Sequence, residues 1–77
     1  MKKVIIYSTP TCHFCHVAKD YFQEKGVSYT EYNVSTDLAK RQEMLDKSNQ
    51  MGVPVIDIEG DIIVGFDEEK VSGLLGL

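Results

Sequence analysis

No stretch of this chain stays apolar for long. Its longest unbroken aliphatic runs are triplets, Val4-Ile5-Ile6 and Ile62-Ile63-Val64, whereas a bilayer span needs about 20 apolar residues and a signal-peptide core about 7–15. No membrane partner is expected, and the reading is a cytoplasmic protein. Positive charge is scarce as well: 8 Lys and Arg stand against 12 Asp and Glu, a net charge of −4. That is the wrong sign for binding a phosphate backbone by counterion release, so no nucleic acid is expected as a partner. Segments rich in Pro, Gly or Ser are lacking, as are internal repeats, so nothing reads as a linker or a solenoid. With 77 residues, the chain has room for one domain, residues 1–77, because typical domains hold about 100–150 residues and the smallest about 50. Cysteine is limited to Cys12 and Cys15. Small secreted domains use several disulfides as staples, and a pair this close encloses too short a loop to staple a fold, so these two should serve chemistry.

What is present reads as an ordinary globular core, with 43% hydrophobic and 26% charged residues. Lys3 to Tyr7 is a β-branched and aromatic run ending in the turn formers Ser8-Thr9-Pro10-Thr11, which predicts a buried strand and a loop. From His13 to Lys25, apolar residues at Phe14, Val17, Ala18, Tyr21 and Phe22 recur at helical steps, with Gly26 as the stop. Val27 to Val34 is rich enough in Val, Tyr and Thr to predict a second strand. Ser35-Thr36-Asp37 offers N-caps for a helix over Leu38–Lys47. Pro54 to Ile58 and Asp61 to Val64, joined by Glu59-Gly60, predict a hairpin. A final short helix follows the acids Asp67-Glu68-Glu69, with Val71, Leu74 and Leu75 as its apolar stripe. The order βαβαββα implies an α/β fold, a four-stranded mixed sheet flanked by three helices. The first two strands should be parallel and the last two antiparallel. Strand alternation turns Tyr7 toward a helix layer, which favours a core role over a place in a substrate groove.

Cys12-His13-Phe14-Cys15 is a C-x-x-C motif where a strand loop meets a helix. A sulfur at a helix N-terminus faces unsatisfied N–H groups and the positive end of the dipole, which favours thiolate over thiol at Cys12. Cys15, one turn further in, can reach Cys12 to close a disulfide and should keep its proton longer. These features suit exchange: the Cys12 thiolate attacks a substrate disulfide, and Cys15 then resolves the mixed disulfide. An imidazolium at His13 would favour the Cys12 thiolate further, and a solvent-exposed His13 without effect is the alternative. Cys12, His13, Cys15 and His16 are also four zinc-ligand types, but structural zinc draws its second pair from a distant segment, and no other Cys or His exists here. No metal site is expected. An iron–sulfur cluster would require cysteines from a second chain or an outside thiol.

Tyr7-Ser8-x-x-x-Cys12-x-x-Cys15, then Val53-Pro54, then Gly65-Phe66-Asp67, resemble the glutaredoxins of the thioredoxin-like fold over nearly the whole chain. The resemblance implies a cytoplasmic, monomeric thiol–disulfide oxidoreductase that reduces protein disulfides or glutathione mixed disulfides, with glutathione as co-substrate and no tightly bound cofactor. It implies that Pro54 is a cis-proline facing the reactive sulfur and that the Val53 backbone pairs with substrate. It implies glutathione contacts at Thr9, Gln50, Val53, Phe66 and Asp67. Thr9 stands where the family commonly has lysine, which removes a charge-assisted contact to a glutathione carboxylate. Gly52, Val64 and His13 replace the common Thr, Gly and Pro. Gly65-Phe66 is instead similar to the short redoxins that reduce ribonucleotide reductase and are recharged by thioredoxin reductase.

Overall fold

The Val4–Ser8 run forms the first strand because its β-branched and aromatic side chains fill both faces of a buried sheet. The structure, a computed structural model, describes residues 2–77. Chain order is β1 (Val4–Ser8), α1 (His13–Glu24), β2 (Thr30–Asn33), α2 (Leu38–Ser48), β3 (Val55–Ile58), β4 (Asp61–Val64) and α3 (Glu68–Leu75). The four strands form one mixed sheet in the order β2-β1-β3-β4. β1 runs parallel to β2 and antiparallel to β3, and β3 runs antiparallel to β4. This is the thioredoxin-like arrangement.

Alternation along β1 sorts the interior into two cores. Val4 and Ile6 join Ile56, Ile58 and Ile63 on one face of the sheet, where Ala18, Tyr21 and Phe22 of α1 and Val71 of α3 cover them. Tyr7 points the other way with Val55, and Met44 of α2 closes that layer. Tyr7 is thus a core residue, as its place in the strand predicts. Its hydroxyl donates to Glu43 and accepts from Lys47 Nζ at 2.8 Å, which satisfies the polar tip of a fully buried ring.

Lys47 also ties α2 to the sheet. Its ammonium lies 2.7 Å from Asp57 Oδ2, while Asp57 Oδ1 accepts the Gly60 N–H at 2.8 Å. One carboxylate therefore holds both the helix and the hairpin turn, where Glu59 and Gly60 take positive φ values of 52° and 94°. Burial opposes both charges, but the hydrogen bonds win: the Asp57 carboxyl is held below its usual range and the Lys47 ammonium above its own. A depressed carboxyl contributes stability above its unfolded pKa of about 3.9, and that contribution disappears as pH falls through the lower folded value. Asp57→Ala should cost about 2 kcal/mol at neutral pH, since it removes the carboxylate bonded to Lys47, which keeps only Tyr7 and Glu43 as partners, and leaves the Gly60 N–H unpaired. The difference from the parent should shrink below about pH 4, which chemical denaturation at several pH values would measure.

The second strand starts later than its composition predicts. Val27 N–H returns to Phe22 O at 2.8 Å, and Gly26 takes a φ of 69°, so residues 25–27 wrap the end of α1 instead of joining the sheet. Ladder pairing begins at Thr30 opposite Ile5. Val27 and Tyr29 pack sideways onto the first core, which accounts for their apolar character outside a strand. α1 likewise closes at Glu24 with Lys25 as its C-cap, one residue short of the predicted end. Of the three candidate caps before α2, Asp37 takes the role and accepts from Lys40 N–H, and Asp67, first of the acids before α3, accepts from Lys70 N–H.

Candidate active site

The loop that leaves β1 delivers Cys12 to the N-cap of α1. Cys12 has extended backbone angles, φ −81° and ψ 114°, and its Sγ accepts the Cys15 N–H at 3.2 Å. A sulfur thus fills the capping place usually held by a hydroxyl or carboxylate oxygen, and it sits against the positive end of the helix. Cys12 N–H donates to Thr9 O at 3.3 Å, which closes the turn. Cys12 is partly exposed, whereas Cys15 is completely buried, and both are free thiols. Burial, and next the hydrogen bond with Cys12, push the Cys15 thiol up to about 12, with the Thr9 backbone hydrogen bond pulling the other way. Two sulfurs one turn apart, one accessible and one holding its proton, form an asymmetric pair suited to thiol–disulfide exchange.

Pro54 enters the same neighbourhood through the sheet. Tyr7 lies opposite Val55, so the residue before Val55 stands beside the end of β1, where the loop to Cys12 begins. The Val53-Pro54 bond is cis, as the resemblance implies. Pro54 is buried and its carbonyl accepts the Gly65 N–H at 2.8 Å, which joins the exit of β4 to this loop. Gly65 has a φ of 82°, a conformation that favours a residue without Cβ. Among the described residues no cluster of His, Cys, Asp and Glu is arranged to hold a metal ion.

The remaining expected contacts fall into different settings. Thr9 is bound into the Cys12 turn through its backbone. Gln50 turns onto its own loop: its Oε1 accepts Gly52 N–H at 2.6 Å and its Nε2 donates to Gly52 O at 3.0 Å. A Cβ on residue 52 would meet that Oε1 at 2.7 Å, so glycine makes room for the clamp. Val53 is half-buried against the Tyr7 core. Phe66 lies 5.5 Å from the Tyr21 ring and belongs partly to the first core. Asp67 spends its carboxylate as the N-cap of α3. His13 stands exposed with its ring edge-on to Phe14 at 5.2 Å, and Phe14 is 59% exposed beside the cysteines.

Sequence reasoning missed the polar groups on the α1 side of this site. Ser8 is buried and its hydroxyl donates to Glu31 Oε2 at 2.6 Å, and Lys19 Nζ reaches the same oxygen at 2.8 Å. The available signal was the helical spacing from Cys15 to Lys19 together with an acid on the neighbouring parallel strand.

Comparison with known proteins agrees with this geometry. The glutaredoxin family model matches residues 4–63. A glutaredoxin-like 8.6 kDa protein from the rubredoxin operon of Clostridium pasteurianum is 46% identical over 91% of this chain and 93% of its own length. Glutaredoxin 3 of Escherichia coli is 41% identical over 88% of this chain and 82% of its own. The crystal structure of a mutant of the thioredoxin-like protein BC3987 superposes with a TM-score of 0.91 at 33% identity, covering 99% of this chain and 97% of that one. Glutaredoxins are in general thiol–disulfide oxidoreductases, and sequence, fold and the placement of Cys12 and Cys15 agree that this chain belongs to the glutaredoxin family.

Proposed function

We propose that the protein is a dithiol oxidoreductase that reduces disulfides of proteins and glutathione mixed disulfides, with Cys12 as nucleophile and Cys15 as resolving thiol. The single observation that carries this reading is the asymmetry of the pair: Cys12 Sγ is partly exposed at the helix N-cap, and Cys15 is buried with its proton held. In the first step the Cys12 thiolate attacks one sulfur of the substrate disulfide, and the other sulfur leaves with the bonding electron pair. In the second, Cys15 attacks Cys12, the mixed disulfide breaks, and the second substrate thiol departs while Cys12 and Cys15 become the disulfide. Pro54 shapes the opposite wall, and the Val53 backbone offers its groups to an extended substrate segment. His13 is exposed next to Cys12 and supplies a positive charge there when protonated.

Glutathione is the proposed reductant of the oxidised form. Thr9, Gln50, Val53, Phe66 and Asp67 are the proposed contacts for it. A second reading is favoured by Gly65-Phe66 and by the occupied state of Gln50 and Asp67, both bonded within the chain. In that reading the protein serves ribonucleotide reductase and is recharged by thioredoxin reductase. Parallel reduction assays decide between them. Under the first reading glutathione returns the disulfide to the dithiol at a useful rate. Reduction only by thioredoxin reductase with NADPH would establish the second. Reduction by neither, with a coloured oligomer after anaerobic reconstitution with iron and sulfide, would make the cysteines ligands of a cluster instead.

A further inference from the structure

The resolving step poses a physical problem that the two cysteines do not solve alone. Cys15 must become a thiolate to attack, yet it is wholly buried, and burial disfavours the charged form. In the mixed disulfide Cys12 no longer opposes ionisation of Cys15, but the cost of burial remains. Lys19 sits four residues after Cys15 on α1, a spacing that brings Cβ atoms within about 5–6 Å on one helix face. Its ammonium is held 2.8 Å from Glu31 Oε2, and that oxygen also accepts the hydroxyl of buried Ser8 at 2.6 Å. The side chain of Lys19 is 18% exposed and that of Glu31 37%, and their ion pair links α1 to β2 at the edge of the buried cysteine.

We infer that Lys19, aimed by Glu31 and Ser8, is the charge partner of Cys15 in the second step of exchange, stabilising the buried thiolate that attacks Cys12. The inference rests on the oxidoreductase reading above. Charged and titratable groups around Lys19 come from α1, from β2 and from the segment before β2, where Tyr29 lies. Lys19 and His16 belong to α1, with His16 bonded through Nε2 to Pro10 O at 2.9 Å, and Glu31 belongs to β2. Burial is the largest influence on Cys15 and holds its proton; the charge of Lys19 is a smaller one that acts toward thiolate, and the Glu31 hydrogen bond keeps Lys19 protonated. In the step itself Cys15 gives its proton to solvent and its sulfur forms a bond to Cys12 Sγ. The bond from Cys12 to the substrate sulfur breaks, and that sulfur leaves with the electron pair and is reprotonated from solvent. Ser8 and Glu31 are positioning residues, since they act through Lys19.

The test uses a symmetrical chromogenic aryl disulfide, loaded onto the reduced full chain in acid and then jumped to a series of pH values. Loading releases the first coloured thiolate and resolution by Cys15 releases the second. Lys19→Met should slow the second release about tenfold at neutral pH and move its pH midpoint up by about one unit, the equivalence that links the two. Lys19→Gln should do the same, and Lys19→Arg should restore the parent profile to within about twofold. Loading of Cys12 and the thermal midpoint should change little, because a partly exposed ion pair contributes little to stability. An unchanged midpoint for second release in both neutral variants would overturn the role of Lys19. Failure of the parent chain to release a second thiolate, or its release from Cys15→Ser, would overturn the oxidoreductase reading instead.

Discussion

Cys12→Ser is expected to lower the rate of disulfide reduction by at least about 1000-fold, because a hydroxyl at the same N-cap is not ionised and leaves no sulfur to exchange. The fold should survive, since serine is itself a favoured N-cap and can accept the Cys15 N–H in place of Sγ. Cys15→Ser should behave differently. Attack on a protein disulfide still occurs, but the mixed disulfide persists, and turnover continues only where an outside thiol such as glutathione resolves it. Steady-state assays with insulin-type and glutathionylated substrates, run on both variants, would read this split directly. Equal partial losses in the two would contradict the assignment of attacker and resolver.

Phe22→Ala should produce the largest loss of stability of any single truncation considered. The ring is fully buried in the first core, its centroid 5.5 Å from the tilted Tyr29 ring and 6.0 Å from the edge-on Tyr21 ring. Deleting a buried aromatic costs about 3–5 kcal/mol once the cavity is included. A chain of 77 residues has only about 4–12 kcal/mol in total at 0.05–0.15 kcal/mol per residue. The melting midpoint should therefore drop by roughly 15 °C or more, and the loss should extend to activity, because Phe22 holds the helix that carries both cysteines. Phe14→Ala is the contrast: that ring is 59% exposed, and its removal should leave the thermal midpoint almost unmoved. Circular dichroism melts of the two variants make the comparison, and a small loss at Phe22 would show that α1 is held by other contacts.

The parts of this account that the sequence reveals are those with local causes. The Asp67 cap and the Glu59-Gly60 turn are written in a few adjacent residues, Asp37 is one of the three adjacent candidates for its cap, and the β1 run forms one residue later than expected, over Val4–Ser8 instead of Lys3–Tyr7. The cysteine pair is legible for the same reason, since a helix start is a local signal and Cys15 lies one turn inside it. Strand β2 was harder because Val27 has strand chemistry but is claimed by the end of α1, a competition decided by a hydrogen bond to Phe22 that composition does not display. Ser8, Glu31 and Lys19 meet only because β1 and β2 are parallel and α1 crosses over them. The resemblance implies a substrate contact at Gln50, whereas its bond to the Gly52 backbone depends on a loop shape that no residue pattern announces.

In the proposed mechanism Cys12, and not Cys15, takes the first bond to substrate. Mass spectrometry of the Cys15→Ser chain after mixing with a disulfide-bonded peptide tests it most directly. One covalent peptide adduct per chain is expected, mapped to Cys12 and removed by an added thiol. Parent protein under the same conditions should instead end as the internal disulfide without adduct. A Cys15→Ser chain that forms no adduct, while Cys12→Ser forms one at Cys15, would contradict the account.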